Sequence, residues 1–290
     1  MGLQRKIILT EAVISDGMLI TEECVDSTNL LAAKLAADGA ASYTAVIAES
    51  QTAGRGRLGR TFYSPESSGL YLSLIIRDDV LPKSVKTDEI CAKLTVAAGA
   101  CVARSIDELF RTKARIKWVN DIIIDGKKAG GILTEGRITG SGLSFAVIGI
   151  GVNISRPLGG FPPELEGIAG TVGEKQPQAF SGDNTGSGCV DRVSSYPREF
   201  LAGRIIKKLK AQLSALSENE KSAPEALYES YLKRVSWMFG RKLTVKNAAG
   251  QALYTAEAAG LTRDFGLVVK NSSGDTITLS TGEVSVRLTE

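Results

Sequence analysis

The stretch TAVIAESQTAGRGRLGRTFYSPESSGLYLSLII, residues 44–76, decides the fold class. TAVIAES (44–50) reads as a buried strand and LYLSLII (70–76) as a second one. The stretch between them is loop by composition, with many glycines and arginines and then a proline. Gly54-Arg55-Gly56-Arg57-Leu58-Gly59 satisfies the letter pattern GxGxxG. A dinucleotide-binding turn with that pattern must open a helix whose N-terminus faces the pyrophosphate. Here TFYSPESSG and another strand follow, so a nicotinamide or flavin fold is disfavoured. Gly126-Lys127 lacks the upstream glycine of a phosphate-binding P-loop.

Upstream, Ser27 or Asp26 caps a helix running through LLAAKLAAD, which Gly39 ends. Residues 3–15 fit either a strand or a short helix. Downstream, residues 87–110 suit a long helix, with Ile90, Leu94, Ala97, Cys101 and Ile106 near helical spacing. ARIKWVNDIIIDGKKAGGILTEG (114–136) reads as a strand, a hairpin at Asp125-Gly126 and a strand. LSFAVIGIGVNI (143–154) is another buried strand. Residues 155–197 are rich in Gly, Pro and Ser, and FSGDNTGSGCVDRVSSYP within them reads as a mobile surface excursion. Two helices follow. The first repeats Leu201, Ile205, Leu209 and Leu213, and the second covers roughly 222–235. Beyond Gly240, KLTVKN, ALYTAEAAGLT, GLVVKN and DTITLSTGEVSVRL predict a small antiparallel β module. The expected architecture is α+β: a mixed sheet with helices over 1–237, then a small β barrel over 238–290. The strands do not alternate one-for-one with helices, which argues against a doubly wound sheet.

Composition narrows the chemistry. The chain has 290 residues, 43% hydrophobic and 23% charged, ample for a buried core. No window approaches a transmembrane run, and the N-terminal apolar run is too short for a secretory signal. Four scattered cysteines, Cys24, Cys91, Cys101 and Cys189, predict reduced, mostly buried thiols and a cytoplasmic protein. A net charge of +3 is too small to argue for nucleic acid. The chain has no histidine, which removes histidine bases, Ser-His-Asp triads and HExxH zinc sites.

Anion chemistry remains open. Arg55, Arg57 and Arg60 are interleaved with glycines, which let main-chain N–H groups approach a ligand closely while the guanidinium groups grip phosphate or carboxylate. A solvated basic loop is the plain alternative. Ordering such a loop is costly, and only Ala53 and Leu58 in it are apolar, so it is expected to be fixed by an anionic ligand. In the hairpin, Lys127 and Lys128 point to opposite faces, so at most one faces a given site. Asp121 can hold a lysine in place or simply pair at a turn. Gly149, Gly151 and Asn153 provide either close sheet packing, or room for a flat ring and an amide that reads a base edge.

Taken in order, DSTN (26–29), AESQTAGRGRLGRTFYSP (48–65), GLYLSLI (69–75), IKWVNDIIIDGKKAGGIL (116–133), IGIGVNI (148–154), GLTRDFGLVV and TGEVSVRL resemble the biotin protein ligases. The resemblance spans nearly the whole chain. It implies a catalytic domain like that of class II aminoacyl-tRNA synthetases and an SH3-like C-terminal domain. It also implies a carbon–nitrogen ligase using biotin and ATP, with Mg²⁺ riding on the nucleotide and no protein-held metal. The implied product is biotin attached to one lysine of a biotin carboxyl carrier protein.

By position, Ser27, Thr28, Asn29, Gln51, Gly54, Arg55, Gly56, Arg57, Lys128 and Gly131 are implied to bind biotin. Arg55, Arg57, Arg60, Lys128 and Asn153 are implied to bind ATP, and Arg57, Lys128 and Asp121 to be catalytic. Val119 stands where the family usually has Pro, and Phe62 where it often has Trp. Many bacterial members begin with a winged-helix DNA-binding domain. Here DSTN starts at residue 26, so specific DNA binding is not expected, while a homodimer is consistent with the resemblance. The rival readings are a lipoate or octanoate ligase and a non-catalytic biotin-binding protein.

Overall fold

The computed structural model describes residues 18–81, 87–140, 142–173, 197–218, 222–280 and 284–288. The expectations for residues 3–15, for Cys189 and for most of the 180–197 excursion lie outside them. The main sheet has seven strands: β1 (Leu19–Val25), β2 (Ala45–Gln51), β3 (Gly69–Ile76), β4 (Arg115–Lys117), β5 (Asp121–Ile124), β6 (Lys127–Thr139) and β7 (Gly142–Asn153). Their order is β1-β2-β3-β7-β6-β5-β4. Only β1 and β2 pair in parallel, so the sheet is mixed, as expected. The sequence reading left β1 unassigned. Its residues are half-buried or exposed, so it has no core-facing apolar alternation to betray it.

One face of the sheet carries α1 (Thr28–Ala37), whose Ala32 and Ala36 pack with Val46, Ile75, Phe145 and Val147. These alanines let α1 lie close to the strands. The other face carries α2 (Thr87–Phe110), where Leu94, Ala97, Cys101 and Ile106 meet Leu72, Leu74, Ile132 and Ile148 in the main core. Behind α2 lie α3 (Pro197–Ser217) and α4 (Ala223–Val235). The predicted four-residue repeat Leu201, Ile205, Leu209 and Leu213 is fully buried.

The single strand predicted from 114 to the Asp125-Gly126 hairpin is broken: a turn at Trp118–Asn120 separates β4 from β5, and the two pair antiparallel. The hairpin at Asp125-Gly126 is present. Both residues have positive φ, +47° and +80°, as a two-residue turn of this hand requires. Of the described cysteines, Cys101 is buried, and burial pushes its thiol up to about 12. Cys24 is exposed, which corrects the expectation of mostly buried thiols.

The C-terminal residues form a second, five-stranded sheet: β8 (Lys242–Asn247), β9 (Ala252–Leu261), β10 (Leu267–Asn271), β11 (Thr276–Leu279) and β12 (Val284–Leu288), in the order β11-β10-β9-β8-β12. All its pairings are antiparallel. Its inward residues, among them Leu243, Val245, Leu267 and Val269, join the same hydrophobic cluster as the main domain. The module thus shares the main domain's core, with Phe265 against Tyr228 and Tyr231.

Candidate active site

Sheet register places the site. Lys117 pairs with Asp121, Asp121 with Gly131, Gly131 with Gly151, and Gly151 with Tyr71. Directly paired residues share a face, so one row across five strands presents lysine, aspartate, two glycines and tyrosine on the α1 side. The next row on that face is Leu133, Gly149 and Ser73. The glycines make a shallow floor. A Cβ at Gly149 would collide with the Asn29 carboxamide, and one at Gly151 would stand 2.6 Å from the Phe62 ring. The space at these glycines is therefore taken up by Asn29 and Phe62, not left clear for a flat ligand ring.

Above this floor lie two chambers. The first, about 480 Å³ including its open mouth, is lined by Ser27, Thr28, Asn29 and Gln51 at one end and Arg55, Arg57 and Lys128 at the other. Thr28 donates to Gln51 Oε1 from its main-chain N–H (2.8 Å), and its Oγ1 lies 3.1 Å from the same oxygen. Gln51 Nε2 donates to Ser64 Oγ at 2.8 Å. Ser73 Oγ lies 2.8 Å from Thr28 Oγ1 and 2.6 Å from Asn29 Oδ1. Asn29 Nδ2 donates to Glu135 Oε2 at 2.8 Å, and Arg55 pairs with Glu135 Oε1 at 3.0 Å. Ser27 occupies the N-cap position of α1, but its hydroxyl makes no cap bond; Asp26 instead accepts the Ser27 N–H at 2.6 Å. Gly54 does not line the chamber. A side chain there would strike the Phe62 carbonyl and Ser64, so its role is to let the loop turn back beside Gln51.

The second chamber, about 560 Å³, is lined by Arg57, Arg60, Lys117, Asp121 and Lys128, with Trp118 and, from the C-terminal module, Val286. Asp121 holds Lys128 at 2.6 Å and Lys117 at 3.6 Å. Burial raises the Asp121 pKa, but Lys128, Lys117 and Arg57 outweigh it and hold the carboxyl below its usual range. Burial, with Lys128 and Arg60 nearby, lowers Lys117 despite Asp121. Arg57 is lowered too, chiefly by burial. Four cations thus face one carboxylate, a surplus that favours a multiply charged anion.

The hairpin's facing is set by a bulge. Strict alternation back from Gly131 would put Lys127 on the site face. The register shifts between Ile122 and Ile123, so that Lys128 pairs with Ile123, which shares a face with Asp121. The Lys128 side chain then runs over Gly131, where a Cβ would lie 3.5 Å from its Nζ. Lys127 is exposed and lines neither chamber. Asn153 lines neither chamber as well, and its amide donates to the Gly170 carbonyl at 3.0 Å.

The arginine-glycine loop is not held by ligand alone. Arg55 bridges to Thr61, Gly56 N–H donates to the Arg60 carbonyl, and Phe62 N–H donates to the Gly54 carbonyl. Arg57 Nη1 donates to Asn120 Oδ1 at 3.2 Å. Protein partners, Glu135 and Asn120 among them, offset part of the ordering cost. The expectation that only a ligand fixes this loop is corrected on that point.

A sequence profile of the biotin/lipoate A/B protein ligase family matches residues 22–153, which contain both rows and the loop. Residues 22–153 are a domain of that family. The chain is 39% identical over 157 residues to the bifunctional ligase/repressor BirA of Bacillus subtilis, covering 54% of this chain and 46% of that protein. It therefore spans less than half the length of that relative. It is 28% identical over 265 residues to the biotin–[acetyl-CoA-carboxylase] ligase of Mycobacterium tuberculosis, covering 89% of this chain and 85% of that one. The fold matches the solved structure of biotin protein ligase from Aquifex aeolicus in complex with biotin and ATP, with a TM-score of 0.70 at 23% identity, over 94% of this chain and 99% of that one.

Within this family domain, Ser27, Thr28, Asn29, Gln51, Arg55, Gly56, Arg57, Lys128 and Gly131 stand together around the first chamber. Sequence reasoning missed Ser64, Ser73, Lys117, Asn120 and Glu135. Lys117 had a usable signal: with a turn at 118–120, it sits directly across from Asp121.

Proposed function

We propose that the chain is a biotin protein ligase. Biotin's carboxylate oxygen attacks the α-phosphorus of ATP, the bond to the β-phosphate breaks, and biotinyl-5′-AMP and pyrophosphate form. The ε-amine of an acceptor lysine on a biotin carboxyl carrier domain then attacks the acyl carbon, and AMP leaves. Neither step needs an enzyme nucleophile, which suits a chain without histidine.

The observation that carries this reading is that Arg57 and Lys128 are the two charged side chains lining both chambers. A ligand with a neutral, hydrogen-bonding ring beside Thr28 and Gln51 and a carboxylate at the other end reaches the point where a nucleotide's phosphates would lie. The urea ring of biotin offers N–H donors and a carbonyl acceptor; a dithiolane ring offers neither, which favours biotin over lipoate. Asp121, held ionised by its lysines, orients Lys128 and Lys117 and is a poor base for an ammonium group. Among the described residues it is also the one carboxylate lining the basic chamber, and its occupied oxygens fit a metal poorly. Mg²⁺ is accordingly assigned to the nucleotide phosphates and water.

Biotin-dependent ATP–pyrophosphate exchange tests the reading. Exchange with biotin and little with lipoate is expected. Exchange with lipoate alone assigns the chain to the other branch of its family, and no exchange with either leaves a binding protein.

A further inference from the structure

The turn at Trp118–Asn120 lies between Lys117 and Asp121, so its placement sets two charges of the basic chamber. Its Asn120 accepts from Arg57 and donates to the Ile132 carbonyl at 2.9 Å. Three groups from later in the chain hold this turn from behind; one is Met238 Sδ, which accepts the Trp118 main-chain N–H at 3.2 Å. Tyr231 on α4, fully buried, donates its hydroxyl to the Val119 carbonyl at 2.9 Å. Trp118 Nε1 donates to the carbonyl of Phe265, in the C-terminal module, at 2.9 Å. The Phe265 ring stands edge-on to Tyr231 at 5.7 Å, so the two supports brace each other.

We propose that Tyr231 is a positioning residue for the basic chamber: its hydroxyl, with the Phe265 carbonyl, fixes the Trp118–Asn120 turn so that Lys117 and Asn120 meet an incoming polyphosphate while Asp121 keeps hold of Lys117 and Lys128. Val119 is 1% exposed, so without Tyr231 its carbonyl has no water to turn to and the turn must shift to find a donor. Burial pushes the phenol far above its ordinary pKa, so it remains a donor at all working pH values. The hydrogen bonds at the ring end of the polar chamber run through Thr28, Gln51 and Ser64 and do not pass through the turn, although Asn120 lines both chambers. This inference depends on the ligase reading only for the identity of the anion.

Tyr228 provides an internal control. It lies on the same helix, and its hydroxyl donates to the Leu261 carbonyl at 3.0 Å, tying the helix to the same module without touching the turn. The test is calorimetric titration of the full chain with inorganic pyrophosphate and, separately, with biotin. For Tyr231→Phe, pyrophosphate binding should weaken about five- to tenfold while biotin binding stays within about twofold. Tyr228→Phe should leave both within about twofold. Trp118→Phe, which removes the second support, should repeat the selective loss, and it carries the test if Tyr231→Phe does not fold. Equal pyrophosphate binding by parent and Tyr231→Phe, an equal loss in Tyr228→Phe, or a matching loss of biotin binding overturns the proposal. A parent that binds pyrophosphate but shows no biotin-dependent exchange sinks the ligase reading and leaves the positioning role standing. A parent that binds no pyrophosphate sinks both.

Discussion

The polar chamber and the basic chamber share Arg57 and Lys128, yet they are built differently. The polar one is built between the start of α1 and adjacent strands, and its side chains satisfy one another before any ligand arrives: Thr28 with Gln51, Gln51 with Ser64, Asn29 with Glu135. The basic one is assembled from a loop, a turn, a hairpin and the edge of the C-terminal module, and it gathers like charges around one aspartate. The first is preorganised for a neutral ring. The second holds its cations in mutual repulsion, which a bound polyphosphate relieves. Recognition and charge stabilisation are thereby separated in space and meet at two charged side chains, with Gly56, Phe62 and Asn120 also common to both linings.

The largest effect should come from that meeting point. Lys128→Ala is expected to slow adenylate formation about 100- to 1000-fold, as for loss of a cation at a reacting phosphate, while Lys127→Ala stays within about twofold. Single-turnover rates decide; equal effects would mean that the bulge does not set the facing described here. Next comes Gly149→Ala, whose methyl group displaces the Asn29 carboxamide. Biotin affinity should fall about tenfold or more, with a much smaller change in the rate at saturating biotin. Unchanged affinity would remove biotin from the polar chamber.

A third test sharpens the electrostatic half of the comparison. Asp121 has its folded pKa below the ordinary carboxylate value, so its stabilising contribution is present above about pH 4 and fades as the pH falls through the lower folded value. Asp121→Asn should therefore be less stable than the parent at neutral pH, and the gap should narrow in denaturant melts below about pH 4. A gap that widens on acidification contradicts the assignment. The smallest effect is expected from Glu135→Gln. The Arg55–Glu135 pair is over one-third exposed on either side, and such pairs contribute about 0–1 kcal/mol. Tryptic nicking at Arg55 should rise a fewfold without ligand, and biotin plus ATP should suppress it. A loop equally resistant in parent and variant would show that Glu135 does not hold it.

How much of this was legible in the sequence differs between the two chambers. The motif residues of the polar chamber lie beside elements whose patterns were plain: Thr28 and Asn29 open the helix read through LLAAKLAAD, and a strand-loop-strand reading of 44–76 already placed Gln51 and the arginines between two sheet strands. Glu135 and Ser73 were not visible, because only the register of β3, β7 and β6 brings them to Asn29, 106 and 44 residues away in sequence. Alternation alone could not choose between Lys127 and Lys128, since a bulge is a property of pairing and not of one strand. The supports of the basic chamber were the least legible. Tyr231 and Phe265 lie 112 and 147 residues from the groups they hold, and nothing local distinguishes them from ordinary core aromatics.

The claim that a neutral polar chamber and a cationic one meet at Arg57 and Lys128 is tested most directly by a crystal structure with a non-hydrolysable biotinyl-adenylate analogue. The account predicts the bicyclic ring beside Thr28 and Gln51, and the phosphate mimic between Arg57 and Lys128. A ring lodged among Lys117, Arg60 and Asp121, or a phosphate mimic touching neither Arg57 nor Lys128, would contradict it.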